Sequence, residues 1–148
     1  MTIGDLGIVR DVTIDADGQV EVTLTPTYSG CPATEVIRGD VLAALSAAGF
    51  DEVRVHTVLA PAWTTDWITE AGRRKLADHG IVPPSPAPRS RRVDVALTLM
   101  PPARDDEVRC PRCDSADTAL VSQFGATACQ AMYRCRRCLE PFDRIKPH

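Results

Sequence analysis

Cys110-Pro111-Arg112-Cys113 and Cys135-Arg136-Arg137-Cys138 are two Cys-x-x-Cys pairs separated by the 21 residues from Asp114 to Arg134. A thiolate pair two residues apart bends round one metal ion, and two such pairs complete a tetrahedral S4 shell. The interval is one residue longer than the usual upper bound of about 20 for such sites. Within it, Ala119-Leu120-Val121 and Met132-Tyr133 are apolar stretches separated by Phe124-Gly125, as two strands of a ribbon require. A segment this polar has little core of its own, so its folding is expected to come from ligation. Disulfides and a thioredoxin-type redox pair are the competing readings. The redox motif sits between a strand and a helix, and neither pair here is followed by a helical pattern.

Outside this module the chain reads as an ordinary soluble protein. Its 148 residues suffice for one domain and a small appendage, with 25% charged and 44% hydrophobic residues. A net charge of -3 gives no electrostatic case for nucleic acid or an anionic membrane as partner. No apolar run is long enough to span a bilayer, and the start Met1-Thr2-Ile3-Gly4-Asp5 lacks the features of a secretory signal. Six cysteines without a signal imply reduced thiols in a cytoplasmic setting, used for metal or chemistry.

Working back from the cysteine module, Leu6 to Leu24 predicts a hairpin turning at Asp15-Ala16-Asp17-Gly18, with Val20, Val22 and Leu24 on one face. Pro26 and Gly30 end that ladder. Cys31-Pro32 opens a helix, since proline is preorganised for the first helical position, and Gly49 closes it. Val53 and Val55, then Thr57 and Leu59, predict a third strand. A second helix starts near Thr64, Thr65 or Asp66 as cap and ends at Gly80. Trp63 and Trp67 either pack that helix start onto the sheet or form a partner-facing patch. The expected fold class is α+β: a small α/β sandwich (strand-strand-helix-strand-helix), then a small zinc-ribbon module built on four cysteines. The expected boundaries are 1-82, a Pro-rich linker over 83-104 with a strand at 93-100, and 105-148 for the ribbon.

Cys31 is the residue with the most chemical promise outside the ribbon. At a helix start behind Gly30, unpaired N–H groups favour a thiolate, so the thiol pKa should fall. It reads either as a nucleophilic or metal-ligating sulfur, or as a small buried hydrophobe. Cys129 can stand in for one ribbon ligand or be a free thiol beside the site. Two complete pairs need no fifth ligand, which favours the auxiliary thiol. His56 follows a strand and could approach Cys31. The sequence holds no dinucleotide, Walker, nucleophile-elbow or His-Glu-x-x-His motif.

Several strings resemble the PaaD (PaaJ) family. They are Asp5-Leu6-Gly7-Ile8-Val9-Arg10, Thr25-Pro26-Thr27-Tyr28-Ser29-Gly30-Cys31-Pro32-Ala33-Thr34-Glu35, Pro61-Ala62-Trp63-Thr64-Thr65-Asp66-Trp67, the ribbon cysteines, and Glu140-Pro141-Phe142-Asp143. The first half is similar to the wider domain of SufT and cytosolic iron–sulfur assembly proteins. The resemblance implies an accessory, non-enzymatic role beside the multicomponent phenylacetyl-CoA epoxidase of phenylacetate catabolism. Implied partners are its components, a di-iron oxygenase or an iron–sulfur reductase, with a homo-oligomer also open. Cys31 would be the functional thiol for metal or cluster transfer, with Asp5 and Thr27 beside it. Family members usually carry an N-terminal helix and an Asp-Pro-Glu segment ahead of the Asp-Leu-Gly string. Without that helix, part of the sheet face would be uncovered.

Three functions therefore compete. In the first, Cys31 handles iron or an iron–sulfur cluster in transit, while Cys110, Cys113, Cys135 and Cys138 hold structural zinc and the ribbon docks a partner. In the second, the ribbon is a binding component of the oxygenase complex with no metal transfer. Nucleic acid fits poorly, because the ribbon region balances eight Arg and Lys against seven Asp and Glu. The third is an enzyme: a thiol oxidoreductase or an oxygenase subunit. A closed S4 site suits zinc and iron equally by ligand set; colour separates them.

Overall fold

The computed structural model describes residues 1–85 and 107–147. The expected strand at 93-100 and most of the Pro-rich joint lie outside the described residues. The first sheet contains β1 (Val9–Ile14), β2 (Val20–Leu24) and β3 (Val53–Thr57), in the order β1-β2-β3. β1 and β2 form the predicted antiparallel hairpin. Its turn is closed by Asp15, whose carboxylate accepts from the Asp17 and Gln19 amides, and by Gly18 at φ +84°. β3 lies parallel to β2 after a crossover through α1 (Ala33–Ala47).

Alternation places Val20, Val22 and Leu24 on one face with Val55, at most 8% exposed, under Ile37, Val41 and Leu45 of α1. Helix α1 covers β2, β3 and the Val9 end of β1, and stops short of the turn end of β1. Val12 and Ile14, which pair with Val22 and Val20, remain 53% and 59% exposed. Leu59, grouped with the third strand in the sequence, falls beyond it and is exposed.

The second helical region differs from its expected start. Thr64 caps only a short 3₁₀ turn over Thr65–Trp67, and α2 (Glu70–Asp78) begins later with Thr69 as its cap, accepting from Gly72 N–H at 2.9 Å. Ile68 adopts an extended conformation at ψ 122°, which breaks the helical path between the two. Gly80, at φ +73°, ends α2 as expected. Trp63 is 5% exposed and donates from Nε1 to the Leu6 carbonyl at 2.9 Å. It packs with Ile68, Leu76 and Ile145, not onto the first sheet. Trp67 carries the Arg10 guanidinium over its ring, 3.4 Å from the centroid; Arg10 is the extra residue of a bulge between Val9 and Asp11.

The ribbon is larger than two strands. β4 (Ile81–Val82) arrives from the first domain, and β5 (Thr118–Ser122), β6 (Gln130–Cys135) and β7 (Pro141–Ile145) form an antiparallel meander. β4 adds the fourth strand, parallel to β7. The module also has a core: Tyr133 stacks on Phe142 at 5.9 Å, and Val108, Ala131, Cys110 and Cys135 pack with them. The expectation of little core undercounted Pro141–Ile145, where Phe142 points inward and Pro141 outward.

Candidate metal centre and thiol site

Each Cys-x-x-Cys pair forms a knuckle, and the two knuckles share one backbone plan. The first cysteine's N–H donates to the carbonyl five residues on: Cys110 to Ser115 at 3.0 Å, Cys135 to Glu140 at 2.9 Å. The residue after the second cysteine turns left-handed, Asp114 at φ 55° and Leu139 at φ 64°. That reversal is uncommon for side chains other than glycine. It turns the chain back sharply, so both sulfurs of a pair face the same point. No sequence signal marked Asp114 or Leu139 for this role.

The four sulfurs lie within 4.8 Å of one another, with Cys110–Cys138 and Cys113–Cys135 both at 3.6 Å. Metal–sulfur bonds of about 2.3 Å in a tetrahedron put sulfurs about 3.8 Å apart, so the cage fits a single ion of that size. A disulfide needs about 2.05 Å, and all six cysteines are free.

Electrostatics point the same way. The Cys138 amide, 3.4 Å from Cys135 Sγ, and then the Arg137 amide favour the Cys135 thiolate, holding its pKa at about 6 against burial. For Cys113 the Ser115 amide favours ionisation, yet burial and the three neighbouring sulfurs push the thiol up to about 12. Four thiolates cannot share this volume without a cation, which the S4 set is built to receive. Arg112 stands at the rim, 2.5 Å from Glu140, and the carboxylate and the nearby sulfurs raise its pKa further.

Cys31 lies just ahead of α1, whose cap is Pro32, and is partly buried. Its N–H donates to Tyr28 O at 3.1 Å and its carbonyl accepts from Thr34 N–H at 3.2 Å, so backbone bonds brace the turn on both sides. Below it is an apolar crevice of about 20 Å³ lined by Ile8, Leu24, Thr27 and Ile37. Above it opens a cleft of about 160 Å³ that reaches the ribbon loop of Ala126 to Cys129.

Thr27 thus shares the crevice with Cys31. Asp5 sits elsewhere: its carboxylate, 13% exposed, accepts from Lys75 Nζ at 2.7 Å and Thr2 N–H at 2.8 Å. Those bonds, the Lys75 one foremost, lower its pKa from 3.8 to about 2. His56 meets Glu21 across the strands at 3.0 Å and does not line either cavity beside Cys31. The placement of Cys129 in that cleft had no signature in the sequence, because it depends on how the ribbon packs against the first domain.

Residues 1–57 match the family described as iron-sulfur cluster assembly protein, and residues 98–146 match the PaaD zinc beta ribbon domain. A protein of Escherichia coli (strain K12), provisionally named as one of the subunits of 1,2-phenylacetyl-CoA epoxidase, is 50% identical over 146 residues, covering 99% of this chain and 81% of that one. The Fe-S protein maturation auxiliary factor of Porphyromonas gingivalis (strain ATCC BAA-308 / W83) is 34% identical, over 51% of this chain and 73% of its own. YitW of Bacillus subtilis (strain 168), also named an Fe-S protein maturation auxiliary factor, is 43% identical over 43% and 64%. A crystal structure of a DUF59 domain of unknown function from Bacillus anthracis is similar at 32% identity and TM-score 0.49, over 51% of this chain and 74% of that one. Among the described residues no helix is long and apolar enough to cross a membrane. The chain belongs to the PaaD family, with an iron–sulfur cluster assembly domain at its start and a PaaD zinc ribbon at its end.

Proposed function

We propose that the protein is an accessory factor that helps mature a metal or iron–sulfur centre of a multicomponent phenylacetyl-CoA epoxidase in the cytoplasm. Cys31 handles the metal or cluster in transit. The ribbon holds a structural zinc through Cys110, Cys113, Cys135 and Cys138, and docks the client. The names of the relatives support both halves of this reading, since one is called an epoxidase subunit and two are called maturation factors.

The observation that carries it is the surroundings of Cys31. Among the described residues that line its crevice and cleft there is no histidine, carboxylate or lysine. A thiol nucleophile in catalysis needs a base within hydrogen-bond reach; a thiol that takes up and releases a soft metal needs only access and room. The cleft's volume of about 160 Å³ is also well below the 300–1,000 Å³ or so of sites that enclose a cofactor-sized molecule. That speaks against acyl-CoA chemistry at this thiol.

The test is a Cys31→Ser strain. The expected result is a protein that folds and keeps its ribbon ion, while the epoxidase component that depends on it accumulates without its metal centre. A purely structural role in the epoxidase complex, favoured by the name of the Escherichia coli relative, expects the opposite pattern. In that case Cys31→Ser leaves the epoxidase fully loaded and active, and only ribbon variants such as Cys110→Ser impair it.

A further inference from the structure

Two thiols outside the ribbon quartet, Cys31 and Cys129, line the same cleft from opposite domains. Each is partly buried and free. Tyr28, Pro32 and Ala33 flank the first, and Ala126, Thr127 and Ala128 the second, so the walls are almost wholly apolar. Nothing in the sequence joins them; they come to line one cleft in a fold where β4 carries the first domain into the ribbon sheet.

The Cys129 side is braced as firmly as the Cys31 side. Gln130 N–H closes a turn onto Thr127 O at 3.1 Å, and Lys146 N–H donates to Cys129 O at 2.9 Å. Lys146 Nζ donates to Ala128 O at 2.8 Å while lying 4.2 Å above the Phe124 ring. The Thr127 hydroxyl is 3.1 Å from Cys129 Sγ, where it can donate to a thiolate. Ligands held on rigid turns lose little entropy on binding, which is what a preorganised site requires.

We infer that Cys31 and Cys129 together form a two-thiolate site for a thiophilic metal ion or an iron–sulfur fragment, open on its remaining sides to ligands from a client protein. The inference deepens the proposed function and rests on it. The chemistry of the donors sets the cargo class: two sulfurs in an apolar cleft without carboxylates select soft or borderline ions over magnesium or calcium. Two protein ligands leave coordination positions free, unlike the closed ribbon quartet. Binding a divalent ion exchanges two S–H protons for two metal–sulfur bonds, with the protons released to solvent and no electron transferred. Release reverses this as thiolates of the client displace the two sulfurs.

The test uses the full-length, reduced protein with zinc in the ribbon, titrated with cobalt(II) as the probe. Sulfur-to-cobalt charge-transfer absorption counts the thiolates on the bound ion. Wild type is expected to take up one cobalt beyond the ribbon zinc. Cys31→Ser and Cys129→Ser should each lower the absorption per bound cobalt about twofold and weaken uptake, and the double variant should remove it. Zinc content, unchanged in each variant, verifies that the ribbon stays folded. A Cys129→Ser protein that matches wild type in both absorption and affinity overturns the pairing, as does a wild type that takes up no cobalt. If Cys129→Ser behaves as wild type while Cys31→Ser leaves the epoxidase unloaded, only the pairing falls. If Cys31→Ser leaves the epoxidase fully loaded, the function on which it rests falls.

Discussion

Lys75 Nζ stands 2.7 Å from Asp5 Oδ2, tying the loop ahead of β1 to the middle of α2. The same loop is held by its backbone: Asp5 O accepts from Thr69 N–H at 2.9 Å, at the cap of that helix. The Asp-Leu-Gly string is therefore a clasp that fixes the second helix beside the first sheet, and its carboxylate is already engaged.

Folding lowers the Asp5 pKa from 3.8 to about 2, chiefly through the Lys75 bond. Between those values the unfolded chain binds more protons than the folded one, so stability rises with pH across that window. The contribution of this carboxylate is complete above about pH 4 and is lost as pH falls through about 2. Asp5→Asn is expected to lower stability at neutral pH and to flatten the acid limb of the stability curve. Chemical denaturation from pH 2 to 7 checks this; parallel curves for both proteins would remove Asp5 from the clasp.

Gly72, inside α2, faces the Asp5 carbonyl so closely that a Cβ there would collide with it. Backbone cannot swing aside as a flexible side chain does. Gly72→Ala is expected to cost about 1–3 kcal/mol despite alanine's better helix propensity. Gly39, in the middle of α1, has nothing within 4 Å of the same added atom. There Gly39→Ala should stabilise by about 0.5–1 kcal/mol. Urea denaturation of the two variants with the ribbon ion bound gives opposite signs if the clasp is as tight as its geometry.

These contrasts mark what was legible in the sequence. Local patterns were: the alternation of Val20, Val22 and Leu24, the turn at Gly18, the helix closing at Gly49, and the spacing of the four ribbon cysteines. What depended on long-range packing was not. Thr64, Thr65 and Asp66 are all good caps, and only the extended Ile68 shows that Thr69 begins the main helix. β4 is two residues long, too short to carry a period, and its strand character comes from pairing with β7. Alternation sends Phe142 and Ile145 to opposite faces of β7, but that the second face is covered by Trp63 and Leu76 of the first domain is set by packing. Cys129 acquires its neighbour only through the same docking.

Trp63 is buried by packing, and its indole N–H also holds the Leu6 carbonyl at 2.9 Å. Trp63→Phe keeps most of the apolar contact and deletes the donor. The expected cost is about 1 kcal/mol, the net value of one hydrogen bond whose acceptor loses its partner. Thermal denaturation measures it. A variant as stable as wild type would mean that water replaces the indole at Leu6.

Removing the ribbon ion should be felt beyond the ribbon. Cys110 and Cys135, 2% and 0% exposed, belong to the same cluster as Tyr133 and Phe142. Without a cation, burial and the neighbouring sulfurs hold the Cys113 thiol protonated, and the two knuckles lose the ion that joins them. β6 and β7 then lose their anchor. β7 carries Ile145, which packs on Trp63, Ile68 and Leu76 of the first domain, and it also pairs with β4. The sheet of β1 to β3 has a separate core under α1 and does not touch the cage. Chelation under reducing conditions is therefore expected to expose Trp63 and shift tryptophan emission to longer wavelength, while the helical circular dichroism of α1 persists. Returning zinc should reverse both changes. Emission that stays fixed after complete loss of the metal would show that the two domains dock without help from the ribbon ion, and that the Cys31–Cys129 cleft does not depend on it.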